Sequence, residues 1–489
     1  MGDNNSIRTK ALTSTIWKFM ERIGAQLVSM IVSIILARIL TPDDYSVVSL
    51  VAIFFAFANV FISGGLNTAL IQKKEADEED YSTILYFSIF ISLVIYGALF
   101  LLAPFIADIY NKSILVIVIR VMGISLPVTA VKSIWCAYIS SNLQFKKFFF
   151  STLGGTIFSA VIGIALALNG AGVWALVAQQ MSNTFIDTFI LICTTRIHLT
   201  FKFSLQKFKT LFAYGWKIFV SSIIGTIYTQ IIPLIIGVKY STSDLSFYTK
   251  GKSFPELIST TSTNTLAAVM FPTMSKYQDD RKKLLRLTRL FIRISSFIAF
   301  PLMLGFFAIS ENFVRVVLTD KWLPAVPYIK IFCVANMFEM VHIGNCETIK
   351  AMGRSDIYLV MEIIKKSCYL ATIFAFLLFS KTPVELALAF ICCTCIALIV
   401  NSIPNRKLLG YTFLNQIEDL LPNLVTAIIM SFAVQLVGQT PINLLWKLVL
   451  QVVVGMLVYV LENAVIKSPN LKYLIEMMKE ILPHGKACN

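Results

Sequence analysis

The chain has 489 residues, 57% hydrophobic and 14% charged, with a formal net charge of +15. A soluble protein carries about a quarter of its residues charged, so the composition excludes an ordinary soluble enzyme and specifies an all-α polytopic membrane protein. The basic excess does not indicate nucleic acid, because the lysines and arginines sit in short connections between apolar spans, where the positive-inside rule puts them.

In chain order, apolar stretches long enough to cross a bilayer fall near 14–40, 46–71, 82–107, 114–139, 148–169 and 172–195. After a basic, polar stretch they resume near 214–237, 254–275, 286–309, 326–350, 356–379 and 383–404, and two more lie near 417–438 and 443–466. That makes about fourteen transmembrane helices. The predicted organisation is an N-terminal six-helix lobe over 1–200, a second six-helix lobe over 201–412, and two additional helices with an amphipathic cytosolic tail over 413–489.

The polar start "MGDNNSIRTK" leads directly into the first span, so no cleaved leader is expected. With that start inside, about 24 Lys and Arg residues fall on inner ends and loops, about 8 on outer ones and about 10 within spans. The heaviest clusters, Arg196/Lys202/Lys207/Lys209 and "KYQDDRKKLLRLTR", both fall inside. A multi-pass protein of the inner or plasma membrane with both termini cytosolic is the expectation. The outer connections, "TPDD", "NGAG", "SKTP" and "GQTP", are too short to hold an extramembrane domain. Residues 201–213 and the tail "NLKYLIEMMKEIL" read as amphipathic segments lying at the membrane surface.

The two halves echo each other. Trp17-Lys18 matches Trp216-Lys217, "TPDDYS" matches "STSDLS", Arg120 meets Lys330, Cys136 meets Cys346, and Lys132 and His342 take equivalent places. Six spans per half with the same membrane orientation is a transporter architecture.

The first span carries Thr15, Lys18, Arg22, Gln26, Ser29 and Ser33 within an arc of about 80°. Such a stripe on an apolar spanning helix faces protein or a water-filled cavity. At 1.5 Å per residue Lys18 lies ~6 Å and Arg22 ~12 Å into a hydrocarbon whose midplane is ~15 Å deep. Glu21 lies off the stripe, within reach of either cation. The matching helix repeats the theme with Lys217, Ser221, Gly225 and Tyr228. Cations of this kind suit phosphate, and hydroxyl, amide and aromatic groups suit sugars. Their alternative role is a structural one, snorkelling or interhelical packing. Glu339, one turn from His342, is either an ion- or proton-coupling site or a structural pair. Glu362 and Lys366 read as a structural ion pair at i, i+4, Asp187 as packed against a neighbour, and Arg293 as snorkelling.

No phosphate loop, H-E-x-x-H or nucleophile elbow occurs, so no catalytic residue, metal or cofactor is expected. Cys392, Cys393 and Cys395 lie in an apolar helix and read as small buried hydrophobes.

Four stretches carry a resemblance: "LARILTPDDYSVVSLVAIF", "GLNTALIQKKEADEEDYST", "FYTKGKSFPELIST" with "AAVMFPTMSKYQDD", and "VRVVLTDKWLPAVPYIKIF". In order and spacing the chain resembles polysaccharide-unit (lipid-linked oligosaccharide) flippases of the multidrug/oligosaccharidyl-lipid/polysaccharide exporter superfamily, from about Thr13 to Leu409. The resemblance implies two pseudo-symmetric six-helix lobes around a central cavity, with two C-terminal helices added. It also implies an oligosaccharide on polyprenyl pyrophosphate as the ligand, moved from the inner to the outer leaflet by alternating access, for O-antigen, teichuronic-acid or exopolysaccharide assembly. The implied partners are that lipid-linked oligosaccharide, membrane lipids and the polymerase and other proteins of the assembly pathway. By position Lys18, Arg22 and Lys217 are the cavity cations, with Lys132, Gln26, Ser29 and Tyr228 beside them; Lys250 stands where many relatives have arginine. A drug/cation antiporter of the same superfamily and an integral-membrane glycosyltransferase or polymerase are the alternatives.

Overall fold

Backbone inside hydrocarbon must satisfy its own N–H and C=O groups, and a chain this apolar does so as helix. The computed structural model describes residues 2–73, 76–142, 144–197 and 199–481, with side chains described except at 2–16, 19, 262, 264–269, 271–272, 355 and 477–481. The predicted stripe residue Thr15 and the last residues of the predicted tail, 482–489, lie outside these. Among the described residues there is no strand.

The helices are α1 (Gly2–Ile39), α2 (Pro42–Ser63), α3 (Leu66–Gln72), α4 (Glu78–Ile109), α5 (Ile114–Gly123), α6 (Ser125–Ser141), α7 (Phe145–Leu168), α8 (Val173–Thr194) and α9 (Leu205–Lys239). They continue as α10 (Thr242–Ser275), α11 (Arg281–Phe313), α12 (Val326–Asn336), α13 (Glu339–Ala351), α14 (Ser355–Phe379), α15 (Pro383–Leu409), α16 (Phe413–Gly438), α17 (Leu444–Val465) and α18 (Pro469–Ile481). Among the described residues, 11 stretches are long and apolar enough to cross a membrane. This is an all-α polytopic membrane protein. The predicted spans at 172–195, 254–275 and 356–379 correspond to α8, α10 and α14, which are not among those 11.

Three predicted spans are split. Gly64 and Gly65, at φ 53° and 70°, separate α2 from α3. The span at 114–139 breaks at Ile124 and that at 326–350 at Met337–Phe338. The predicted surface segment at 201–213 differs too. Ser204 caps a helix that runs for 35 residues, so 205–213 continues into the next span, with Gly215 accommodated in the helix.

The chain forms two compact units, Met1–Ser246 and Phe247–Asn489. In unit 1 the core joins Leu66, Leu70, Ile84, Ile134, Leu191 and Leu211, and Trp135 Nε1 donates to the Thr195 carbonyl at 3.1 Å. Gly65 lets α3 meet α9: a Cβ there would overlap the Gly215 carbonyl oxygen, and its φ already favours glycine. At the start of α9, Lys207 pairs with Asp77 and, at 2.7 Å, with Glu79. The Lys207 ammonium holds the Asp77 carboxyl down to about 2.

The turns before α2 and α10 are built alike. Thr41 and Asp44 cap each other, as do Ser241 and Asp244, and Ser46 and Ser246 each donate to the carbonyl three residues back at 2.7 Å. The two turns meet within unit 1. Asp43 Oδ1 accepts from Ser243 Oγ at 3.1 Å and from Lys112 Nζ at 2.6 Å.

In unit 2, Asp419 of α16 is 3% exposed and holds two arginines of α11. Arg289 Nε and Nη2 donate to its two oxygens at 2.8 Å each, Arg293 donates through Nε at 2.8 Å and also through Nη2, and Tyr411 OH adds a fifth bond at 2.8 Å. Arg293 is thus ion-paired, with its side chain 39% exposed. Beside this clamp, Asn345 Nδ2 donates to Gln416 Oε1 at 3.0 Å and Asn405 Nδ2 to Asn345 Oδ1 at 2.7 Å. Each such interhelical amide bond contributes only about 0.6 kcal/mol, so the charged clamp dominates the docking of α16. Two further expectations are corrected. Glu362 pairs with Lys365, at i, i+3, rather than Lys366. Cys392 and Cys395 are exposed on α15 rather than buried; a thiol is apolar enough to stand on such a surface.

Asp419→Ala leaves two arginines uncompensated, and thermal unfolding of the detergent-solubilised protein is expected to show a loss of about 3 kcal/mol. Gly65→Ala is expected to cost about 2 kcal/mol or more and to loosen α9, read as faster amide exchange around Gly215.

Candidate functional site

The polar stripe of α1 is built by helical period, and the structure separates its faces. Gly24 packs against Leu153 of α7, and Val32 and Leu36 are buried. Met20, Leu27 and Ile31 are exposed and lie about 160° around the helix from the stripe. One exposed face is thus apolar and the other cationic.

Lys18 is 49% exposed, pairs with Glu21 at 2.7 Å, and lies 4.8 Å from the Phe148 ring centroid and 5.8 Å from that of Phe145. A ring face under an ammonium stabilises it by about 0.5–2 kcal/mol, so this lysine is doubly compensated. Arg22 and Ser29 are exposed, and Gln26 is half-buried. Arg22 makes no ion pair or hydrogen bond among the described residues. It is the uncompensated charge of the stripe.

Lys132 of α6 pairs with Asp187 of α8 at 2.6 Å, the lysine side chain 31% exposed and the aspartate 4%. Lys18, Glu21, Lys132 and Asp187 all lie within electrostatic reach of the Cys136 thiol. The structure therefore gathers the charges of α1, α6 and α8 into one cluster of unit 1, with Arg22 on the same stripe as Lys18. Two cations are matched by two carboxylates, and Arg22 leaves the group net positive. A ligand that satisfies it is an anion with hydrogen-bonding groups alongside.

Lys217 and Ser221 are exposed on α9 and Tyr228 is half-buried there, also in unit 1. In unit 2, Lys250 is 6% exposed, with its ammonium 5.7 Å from the Trp322 ring centroid. It lies packed in the helix bundle rather than on an open wall. Glu339 is exposed in the first turn of α13, where a carboxylate is favoured by the helix dipole. His342 does not hydrogen-bond it among the described residues. The histidine is buried, with Nδ1 3.3 Å from Asn401 Nδ2 of α15. The sequence reading missed Asn401, the Asp187 partnership and the rings of Phe145 and Phe148. The run "KKFFF" at the start of α7 was the available signal for the rings.

Residues 35–327 match the family described as polysaccharide biosynthesis protein. Among similar proteins, an uncharacterized membrane protein in the cps region of Klebsiella pneumoniae is 25% identical, covering 96% of this chain and 98% of its own. The succinoglycan biosynthesis transport protein ExoT of Rhizobium meliloti is 21% identical over 98% of each chain. The teichuronic acid biosynthesis protein TuaB of Bacillus subtilis is 23% identical over 83% of each. Among solved structures, the inward closed lipid II flippase MurJ superposes with a TM-score of 0.73 at 16% identity, covering 93% of this chain and 98% of its own. An inward-facing multidrug resistance transporter of the MATE family gives 0.63 at 13% identity, covering 79% and 94%. The same fold occurs in that flippase and in that transporter. The chain belongs to the polysaccharide biosynthesis protein family.

Proposed function

We propose that the protein is a flippase that carries a polyprenyl-pyrophosphate-linked oligosaccharide from the inner to the outer leaflet of the plasma membrane by alternating access, for assembly of a surface polysaccharide. The observation that carries this reading is Arg22: an exposed guanidinium without a partner among the described residues, set on a polar stripe beside two compensated lysines. A lipid-linked diphosphate is slow to cross a bilayer because its charge and sugar hydroxyls must leave water. A hydrated cationic wall lowers that barrier while the lipid tail stays in the membrane. The transport and biosynthesis roles named for the relatives agree with it.

In this reading α8, α10 and α14, with 22, 34 and 25 residues, also span, which gives fourteen crossings with both termini cytosolic. Two six-helix lobes, 1–200 and 201–412, flank a central cavity, and 413–489 adds the last two spans and the tail. Arg22, Lys18, Lys132 and Lys217 attract the diphosphate, and Gln26, Ser29 and Tyr228 meet sugar. Lys250, packed under Trp322, is left out of these ligand contacts. Glu339 is the group proposed for ion coupling, with His342 behind it. No metal or cofactor takes part; the partners are the lipid-linked oligosaccharide, membrane lipids and a polymerase that consumes the product. O-antigen, teichuronic-acid and exopolysaccharide units all fit this chemistry.

The MATE-family likeness supports a second reading, a drug/cation antiporter. The cationic stripe weighs against it, since cationic drugs need acidic and aromatic walls.

A charge-assisted phosphate contact contributes about 1.5–3 kcal/mol, so Arg22→Ala is expected to lower transport by about tenfold to a hundredfold, and Arg22→Glu to abolish it with folded protein still in the membrane. Full transport by a well-expressed Arg22→Glu variant would sink the assignment. Lipids extracted from depleted cells, probed for leaflet by impermeant reagents and analysed by mass spectrometry, are expected to show the oligosaccharide lipid accumulating on the inner side. Accumulation on the outer side alone would point to a polymerase, and drug sensitivity without accumulation to the antiporter.

A further inference from the structure

Lys132 and Asp187 form an ion pair between two helices of unit 1. Asp187 uses one oxygen on Lys132, while its other oxygen, Oδ1, is buried with no hydrogen-bond partner. A half-satisfied carboxylate between helices costs free energy that an uncharged pair avoids. Unit 2 contains an uncharged pair, in which Asn401 Oδ1 is likewise without a partner among the described residues but carries no charge. His342 stands 210 positions after Lys132 on the second segment of a broken helix, and Asn401 lies on α15 as Asp187 lies on α8. The correspondence is anchored elsewhere. Arg120 stacks on Phe100 of α4 at 4.2 Å, and Lys330 stacks on Phe307 of α11 at 5.5 Å. The capped turns before α2 and α10 repeat bond for bond.

The surroundings separate the two sites further. Cys136 and Cys346 each lie within reach of two ion pairs. Around Cys346 both pairs, Glu347–Lys350 and Glu362–Lys365, are one turn apart on a single helix, as helix surfaces commonly are. Lys132–Asp187 instead bridges two helices. Its geometry is held from behind: a Cβ on Gly155 of α7 would sit 2.9 Å from the Asp187 Cβ, so glycine there leaves the aspartate its place. In front, the Lys132 side chain is 31% exposed, and an ammonium carries three donors, so a single ion pair does not exhaust it.

We infer that Lys132 contacts the anionic part of the transported ligand and that Asp187 is the positioning residue that holds its ammonium in place, so that anion recognition at this position is confined to unit 1 while His342–Asn401 is its uncharged structural counterpart. This rests on the reading that the ligand is a diphosphate.

The test is pyrophosphate binding to the purified full chain in lipid nanodiscs, by calorimetry, with thermal unfolding measured alongside. The double variant Lys132→His/Asp187→Asn installs the pair that unit 2 already uses. It is expected to unfold at the native temperature and to bind pyrophosphate at least about tenfold more weakly. Asp187→Asn alone is expected to weaken binding and Asp187→Glu to restore most of it, a rescue that a purely structural role does not predict. Native-like affinity in the double variant overturns the inference and leaves the proposed function standing. Should that variant not fold, Lys132→Gln carries the same test with the same overturning result. No pyrophosphate binding by the native protein at millimolar concentration overturns both the inference and the diphosphate reading.

Discussion

An ammonium or guanidinium that leaves water for an apolar helix packing needs a carboxylate, a ring face or a wet crevice, because its desolvation is otherwise too costly to bear. This constraint orders the polar side chains of the protein. Lys132 has Asp187, Lys18 has Glu21 and the Phe148 ring, and Arg289 and Arg293 share Asp419. Arg120, Lys250 and Lys330 lie over Phe100, Trp322 and Phe307. Against that background the exposed cations Arg22 and Lys217 stand out. Where a membrane helix keeps such a charge, water or a ligand supplies the balance.

The same rule separates fastening from function. In the Asp419 clamp both carboxylate oxygens are engaged, and Tyr411 and the two arginines converge on them. Replacing any member exposes a buried charge, so the group behaves as a rivet between α11 and α16. Asn423 extends the fastening by donating to Ser296 Oγ at 2.8 Å, and Asn470 of α18 donates to Asn423 at 3.0 Å. The Lys132–Asp187 pair is open by contrast, with one carboxylate oxygen orphaned and one lysine face accessible. An open pair can trade partners at little cost; a closed one cannot.

Helix class, the membrane setting and the position of most spans were legible because apolar runs of bilayer length allow little else. The Gly64-Gly65 break was legible in principle, since adjacent glycines permit positive φ. The breaks at Ile124 and Met337–Phe338 carry no such marker, and tertiary packing decides them. Within the site, the α1 stripe follows from period alone, and the Lys18–Glu21 pair from spacing. The partners of Lys132, His342 and Arg293 come from helices more than 50 positions distant. No local pattern encodes such pairings, and the aspartates and asparagines that supply them look like ordinary polar residues in their own spans.

The unbroken α9 has a mechanical consequence. At 1.5 Å per residue it is a rod about 52 Å long. One end is moored by Lys207 to Asp77 and Glu79, and the turn following the other end is moored by Ser243 to Asp43. A rod pivoting at its first mooring by about 10° sweeps its far end through about 9 Å. Pro233, six residues from the far end of α9, removes one backbone hydrogen bond; a bend there lets that end yield while the rest of the rod stays stiff. The two ends of α9 are thus tied within unit 1 by separate polar contacts, and the proline near the second marks where the helix can bend.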